Sequence, residues 1–321
     1  MSVFGWGDAA LDTELAKVQE YLAGEVLRAE GFIREDIRHA LCCEGKLLRP
    51  ALVILAGRLG NKRGMNLIPL ATAVEMIHLA TLIHDDIIDG ALSRRGAPAL
   101  HVNTGTARAV LSGDWLLARA LSIVGDYYSR PLFSFLTARI EELCRSEILQ
   151  DASGGKLRVS RAEYFRRIDG KTVALLRLAC RSGSESKGAK QDTLEELDMW
   201  ALSVGRAFQM DDDALDYLGQ SEKLGKGVSV DLRGGLATMP LIIACETNDR
   251  LMTRLTAAHR APRCLRRWRI RRRVARLGAA EGARKEAQAM YGQALAHAAK
   301  LPGSGAKDFT MLTKKLEERG R

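Results

Sequence analysis

No proline interrupts residues 132–239, about a third of a 321-residue chain. Proline removes a backbone donor and blocks the helix interior, so a proline-free interval rich in Ala, Leu, Arg and Glu is open to long helices. The apolar spacing agrees: Leu11, Leu15, Val18, Leu22 and Val26 recur every three or four residues, as do Leu194, Leu197, Ala201, Val204 and Phe208. That is the period of an amphipathic helix. Alternating strand patterns and Asn-Gly hairpin turns are missing, so an all-α protein is expected. Glycine-rich breaks fall at residues 57–64, 90–105, 153–155, 182–188 and 219–235. Each is short enough to be a helix-helix connection, and one domain over residues 1–321 is expected.

The formal charge of +10 is local. Nine arginines and no acid lie between Arg260 and Arg276, and outside that stretch 40 basic residues face 39 acidic ones. Trp268 is the one aromatic residue among these arginines, which lack the aromatic and polar readers that accompany nucleic-acid surfaces, so no nucleic-acid partner is expected. Peripheral contact with an anionic membrane is the use such a patch suits. The six cysteines (42, 43, 144, 180, 245 and 264) form no CxxC pair, which argues against a zinc or disulfide scaffold and fits a reducing cytoplasm. The N-terminal residues carry acids, and the apolar run 67–83 is broken by Glu75 and His78. Neither a leader peptide nor a membrane span is therefore expected.

One local echo carries chemistry. His84-Asp85-Asp86-Ile87-Ile88-Asp89 returns as Asp212-Asp213-Ala214-Leu215-Asp216, and both are DDxxD. On a helix the first and last carboxylates of such a motif lie a turn apart on one face, where they can share a cation. All-oxygen ligands suit Mg²⁺, whereas zinc would ask for more His and Cys. Like charges set among apolar neighbours are costly without a counter-ion. Basic groups accompany them. Lys46 and Arg49 stand at the expected start of a helix, where free amides attract an anion. Arg94 and Arg95 follow the first motif by a short loop and can bend back toward it. Lys171, beside Thr172, and Lys226 add further cations.

Taken in order, GKLLRP from Gly45, EMIHLATLIHDDIID from Glu75 to Asp89 with RRG from Arg94, Ser112-Gly113-Asp114, Lys171-Thr172, FQMDDDALDY from Phe208 and GKGVSVDL from Gly225 resemble the trans-isoprenyl diphosphate synthase family. These are head-to-tail prenyltransferases that lengthen an allylic diphosphate with isopentenyl diphosphate. The resemblance implies a single-domain isoprenoid-synthase-type helical bundle around a deep central cavity, working as a homodimer. It implies that Asp85, Asp86, Asp89, Asp212, Asp213 and Asp216 bind Mg²⁺ and through it the allylic diphosphate. Arg94, Lys171 and Lys226 would contact that diphosphate, and Lys46, Arg49, His78 and Arg95 would hold isopentenyl diphosphate. Thr172 and Gln209 would present oxygen dipoles to an allylic carbocation.

Ala80 and Thr81 precede Asp85 on the helix face leading inward, and in the family small residues there let the chain grow. A long-chain product, a quinone side-chain precursor, is expected, with farnesyl or geranylgeranyl lengths as the alternative. Two departures stand out: Leu236 replaces a lysine usual in the family, and Asp211 adds a third acid before the second motif. A non-catalytic subunit of a heteromeric synthase would have eroded aspartates, and all six are present. A class I terpene cyclase would replace the second motif and would not need GKLLRP.

Overall fold

The computed structural model describes residues 6, 8–41, 47–62, 64–94, 96–152, 160–218, 237–248, 270 and 272–319. Helices dominate: α1 (Ala9–Leu27), α2 (Gly31–Leu41), α3 (Leu48–Gly57), α4 (Ile68–Ile88), α5 (Leu100–Thr104), α6 (Thr106–Tyr127), α7 (Arg130–Ala152), α8 (Arg161–Ile168), α9 (Ala174–Ser186) and α10 (Gln191–Leu218). Helices Met239–Thr247, Ala279–Ala298 and Gly305–Arg319 follow. Within the described residues the all-α expectation is met, with one addition. Ser93–Arg94 pairs antiparallel with Ala97–Pro98, a two-residue ladder inside the expected break at 90–105.

The chain divides into two compact units of interleaved segments. Met1–Ile140, Leu175–Met199 and His297–Leu312 form the first; Glu141–Ala174, Trp200–Ala296 and Thr313–Arg321 form the second.

In the first unit, α4 is central because it has no polar face to give to water. Every residue from Pro69 to Ala80 is buried, the signature of a helix enclosed on all sides. Helices α1, α3 and α6 pack against it. On α1, Leu11, Leu15, Val18, Leu22 and Val26 are all buried, as their spacing requires. The start of α1 is fixed by Asp8, whose Oδ1 accepts the amides of Ala10 and Leu11 at 2.9 and 3.1 Å, an N-cap that satisfies two otherwise orphan donors. The other oxygen of Asp8 accepts from Arg58 at 2.7 Å.

The break expected at 182–188 comes at the end of that range. Helix α9 continues through it to Ser186. The Ser184 and Ser186 hydroxyls donate to the carbonyls of Cys180 and Ser182 at 2.8 and 2.6 Å, which is how short polar side chains are accommodated within a helix. Gly183 serves packing. A Cβ on it would lie 2.0 Å from the Val53 carbonyl oxygen of α3, so the two backbones meet there only through glycine. The helix gives way at Gly188, whose φ is +69°.

The second unit is organised around Trp200, which is fully buried and donates its Nε1–H to Thr313 Oγ1 at 2.9 Å. A cluster of Tyr217, Ala237, Leu241, Ala244, Ile270, Val274, Ala279 and Ala280 packs beside α10. In the arginine-rich stretch, Ile270 and Val274 are buried while Arg272 and Arg276 are exposed, so this portion is one-sided. The rest of that stretch, and the breaks expected at 153–155 and 219–235, lie outside the described residues. No helix among the described residues is long and apolar enough to cross a membrane. Cys144, Cys180 and Cys245 are free thiols.

Gly183→Ala should destabilise the protein by about 1–3 kcal/mol, the usual cost of forcing an extra methyl into a packed contact. The urea midpoint measures it, and an unchanged midpoint would show that α3 and α9 are not held at this distance in solution.

Candidate active site

The first acidic motif lies at the C-terminal end of α4. Gly90, at φ +60°, ends the helix immediately after Asp89. The Ala91 amide reaches back to the Asp86 carbonyl at 2.9 Å and the Gly90 amide to that of Ile87 at 3.2 Å. This pair of bonds is the Schellman closure, which needs a left-handed residue where the glycine stands. The chain then turns through the Ser93–Arg94 and Ala97–Pro98 ladder, with Gly96 at φ +86°. The turn brings Arg94 back onto the motif. Its Nε lies 2.9 and 2.7 Å from the two oxygens of Asp86 and its second guanidinium nitrogen 2.6 Å from one of them. Burial by itself would lower the Arg94 pKa; the bonds to Asp86 and the charges of Asp85 and Asp89 outweigh it and raise that pKa.

Asp86 is only 5% exposed, whereas Asp85 is half-buried and Asp89 exposed. The motif thus separates into an inner carboxylate taken by Arg94 and an outer i, i+4 pair. Its orientation is also set by His84, whose Nε2 lies 3.2 Å from the Val110 carbonyl of α6 and 3.6 Å from Asp114. The ring occupies the place of a missing side chain: a Cβ on Gly113 would lie 2.3 Å from His84 Nε2. Ser112 in turn donates to Asp36, itself held by Arg108 through bonds of 2.6 and 2.7 Å. Each residue of Ser112-Gly113-Asp114 therefore supports the alignment of α6 with α2 and α4.

The second motif, on α10, shows the same division. Asp213 is buried, at 3% exposure, and accepts three hydrogen bonds: from the Tyr164 hydroxyl at 2.7 Å, from Gln209 Nε2 at 3.1 Å and from the Met239 amide at 3.3 Å. Burial raises its pKa, and the donors Tyr164, Gln209 and Met239 pull it back. Asp212 and Asp216 are half-buried. The added acid, Asp211, is buried near Arg284, at 3.9 Å. Burial lifts its pKa to about 6, Arg284 opposing the rise and the charge of Asp212 adding to it.

From Asp213 a chain of bonds leads to Thr172. Because Gln209 must give its amide N–H to the carboxylate, its carbonyl oxygen points the other way and accepts the Thr172 hydroxyl at 3.0 Å. Donating its proton there leaves the Thr172 oxygen lone pairs for a cationic neighbour. Thr172 and Lys171 belong to a single π turn, Asp169–Val173, between α8 and α9, and such turns gather at functional sites. Lys171 Nζ lies 3.0 Å from Glu147, whose side chain is 13% exposed.

Arg49 is in the first turn of α3, whose N-terminus has no side-chain cap. The residue before that helix, Leu47, has φ +47°, a left-handed conformation that a branched side chain adopts only under constraint. His78 and Ala80 are buried on α4, and the Thr81 hydroxyl donates to the His78 carbonyl at 2.7 Å. A small cleft in the first unit is lined by Leu79, Leu82, Ile83, Asp86, Arg94 and Leu100, among others, and not by Ala80 or Thr81. Lys46, Arg95 and Lys226 lie outside the described residues. Tyr164 and Glu147 escaped the sequence reading: a tyrosine seven residues before Lys171 and an acid at the end of a preceding helix form no local motif.

No three His, Cys, Asp or Glu side chains among the described residues converge into a metal cage. The donors present fit a metal that does not need one. Mg²⁺ keeps several waters and binds through one or two carboxylates together with phosphate oxygens, and each motif offers such a carboxylate pair.

The first unit thus carries an acidic pair at a helix end beside a clamped arginine, and the second an acidic pair together with a lysine and threonine on a π turn. Residues 31–265 match the polyprenyl synthetase family. The chain is 36% identical over 234 residues to heptaprenyl diphosphate synthase component 2 of Geobacillus stearothermophilus, covering 73% of each chain. It is 35% identical over 219 residues to the geranylgeranyl diphosphate synthase of Methanosarcina mazei, covering 67% of this chain and 68% of that one. Among solved structures, polyprenyl synthase from Caulobacter crescentus, complexed with calcium and isoprenyl diphosphate, superposes with a TM-score of 0.88 at 31% identity, over 97% of this chain and 96% of that one. The chain belongs to the polyprenyl synthetase family, has its all-α fold and is a prenyltransferase.

Tyr164→Phe should cost about 1–3 kcal/mol by leaving a buried carboxylate one donor short. The loss is read from the urea midpoint, and wild-type stability in the variant would remove Tyr164 from the support of Asp213.

Proposed function

We propose that this chain condenses isopentenyl diphosphate head-to-tail onto an allylic diphosphate, with Mg²⁺, to make a long-chain all-trans polyprenyl diphosphate. The observation that carries the reading is the division of both motifs into an inner carboxylate with internal donors and an outer pair one helical turn apart. Asp85 with Asp89 and Asp212 with Asp216 hold Mg²⁺; Asp86 and Asp213 keep the helices and their partners in place. Bound Mg²⁺ supplies the positive charge that stabilises the departing pyrophosphate.

The protein's own groups act around that event. Arg94, steadied by Asp86, and Lys171, charge-balanced by Glu147 until a diphosphate arrives, orient the allylic diphosphate, and Lys226 joins them. Its C–O bond breaks to leave an allylic carbocation, toward which Thr172 and Gln209 present fixed oxygen dipoles. Arg49, His78, Lys46 and Arg95 hold isopentenyl diphosphate, whose double bond supplies the electron pair for the new C–C bond. A proton then leaves for the pyrophosphate, so no protein base is required, and because the double bond itself captures the carbocation no protein nucleophile is either. Ala80 and Thr81 set the product length by their small size. A homodimer is the proposed assembly. The word component in the name of the Geobacillus relative favours a second reading, in which the chain works with a distinct partner subunit.

The purified chain incubated with farnesyl diphosphate, labelled isopentenyl diphosphate and Mg²⁺ should yield lengthened product, and chelation with EDTA should stop it reversibly. Asp85→Asn and Asp212→Asn should each lower kcat/KM by at least about a hundredfold, the scale of losing one electrostatic stabiliser. No product from the chain alone, with activity on adding a partner subunit, would select the second reading; no product in either case sinks the first as well. Ala80→Phe and Thr81→Phe should shorten the product, and an unchanged distribution in both would refute their assignment.

A further inference from the structure

The π turn Asp169–Val173 is an unusual way to carry two functional residues. It closes through the Ala174 amide bonding the Asp169 carbonyl, five residues back. A π turn is rare because its backbone geometry is less favourable than that of an α-helix, so something outside it must hold it. Three contacts within the second unit do so. Arg206 of α10 grips Asp169 with two parallel bonds, Nε to Oδ1 at 2.8 Å and a second nitrogen to Oδ2 at 2.5 Å. The same guanidinium lies over the Phe165 ring, 4.6 Å from its centroid. Gly170 seats the turn against α7, since a Cβ there would lie 2.5 Å from Ser146 Oγ.

Spacing gives these contacts their meaning. Arg206 and Gln209 stand three apart on one face of α10, and the residues they engage, Asp169 and Thr172, are also three apart. Helix α10 thus holds the π turn at two rungs, one at its first residue and one at Thr172, with Lys171 between them. A bidentate, ring-stacked arginine is directional in a way a lysine is not.

We propose that Asp169 and Arg206 are positioning residues for prenyl transfer: their ion pair fixes the π turn so that Lys171 and Thr172 meet the diphosphate and the developing cation in the correct orientation. This rests on the roles given above to Lys171 and Thr172. Arg206 acts through Asp169, not by touching substrate.

The test is steady-state kinetics of the full-length chain with farnesyl diphosphate and isopentenyl diphosphate, with melting temperature recorded for each variant. Arg206→Ala and Asp169→Ala should each lower kcat and raise KM for farnesyl diphosphate, together about tenfold or more in kcat/KM, the scale of a small misplacement of a reacting group. KM for isopentenyl diphosphate should stay at the wild-type value. The double exchange Asp169→Arg/Arg206→Asp restores the pair in reverse and should recover most of the loss, whereas a direct arginine–diphosphate contact could not be rescued by placing an acid in its stead. Asp169→Asn, which keeps shape and one acceptor, should fall between wild type and Asp169→Ala, and it serves if the exchange variant does not fold. Wild-type kinetics for the single variants beside an impaired Lys171→Ala would overturn this proposal alone. So would a folded exchange variant as poor as the singles. Wild-type kinetics for Lys171→Ala would overturn it together with the role assigned to Lys171.

Discussion

A carboxylate removed from water has to be met by donors, and that requirement organises both acidic stretches of this prenyltransferase. Asp86 and Asp213 are nearly inaccessible, and each is answered from another part of its own unit. For Asp86 the answer is Arg94, delivered by a glycine-terminated helix and a two-residue ladder. For Asp213 it is a tyrosine, a glutamine one turn back and the amide that opens the helix Met239–Thr247. Removing either partner would leave a charge in a poorly solvated place, a far larger penalty than the loss of one exposed ion pair. These inner carboxylates fix the backbone from which the outer ones project.

The same logic extends to the supporting helices. Asp36 is as deeply buried and is met by Arg108 and Ser112; Glu25, on α1, is met by Arg119 of α6. Each of these pairs joins elements far apart in the chain. Buried ion pairs of this kind add little net stability over apolar packing, but they penalise wrong alignments heavily. In the first unit they set α6 against α1 and α2, and thereby the place of the His84 ring beside the first motif.

Much of this was legible in the sequence, and the reasons differ by residue. Periodic leucines and the absence of proline fix helices because they act locally; the buried face of α1 follows directly from them. The return of Arg94 to the first motif was also legible, since glycines flank a loop too short to lead elsewhere. Where the break at 182–188 falls was not legible, because a glycine among serines looks alike whether it ends a helix or lets two helices touch; only the Val53 carbonyl across from Gly183 decides. The unequal roles of the aspartates within the second DDxxD could not be seen either. They depend on Tyr164, 49 residues away along the chain, and on a side-chain amide whose orientation is set in three dimensions. The π turn and the left-handed Leu47 are likewise imposed by tertiary contacts against local preference.

The position of the two motifs along their helices has a further electrostatic consequence. Both lie in the last turns of long helices, α4 and α10, and neither helix has a basic residue in its last turn. The aligned peptide dipoles put partial negative charge at a helix C-terminus, where a lysine or arginine would ordinarily be welcome. Apart from Arg94, which takes Asp86, backbone and carboxylates there have the same sign, and the potential they build together draws a cation more strongly than the outer carboxylates could alone. On the proposed assignment of the outer aspartates to the metal, metal affinity and fold stability become linked quantities, and a substitution that loosens the end of either helix would weaken metal binding without touching a single ligand.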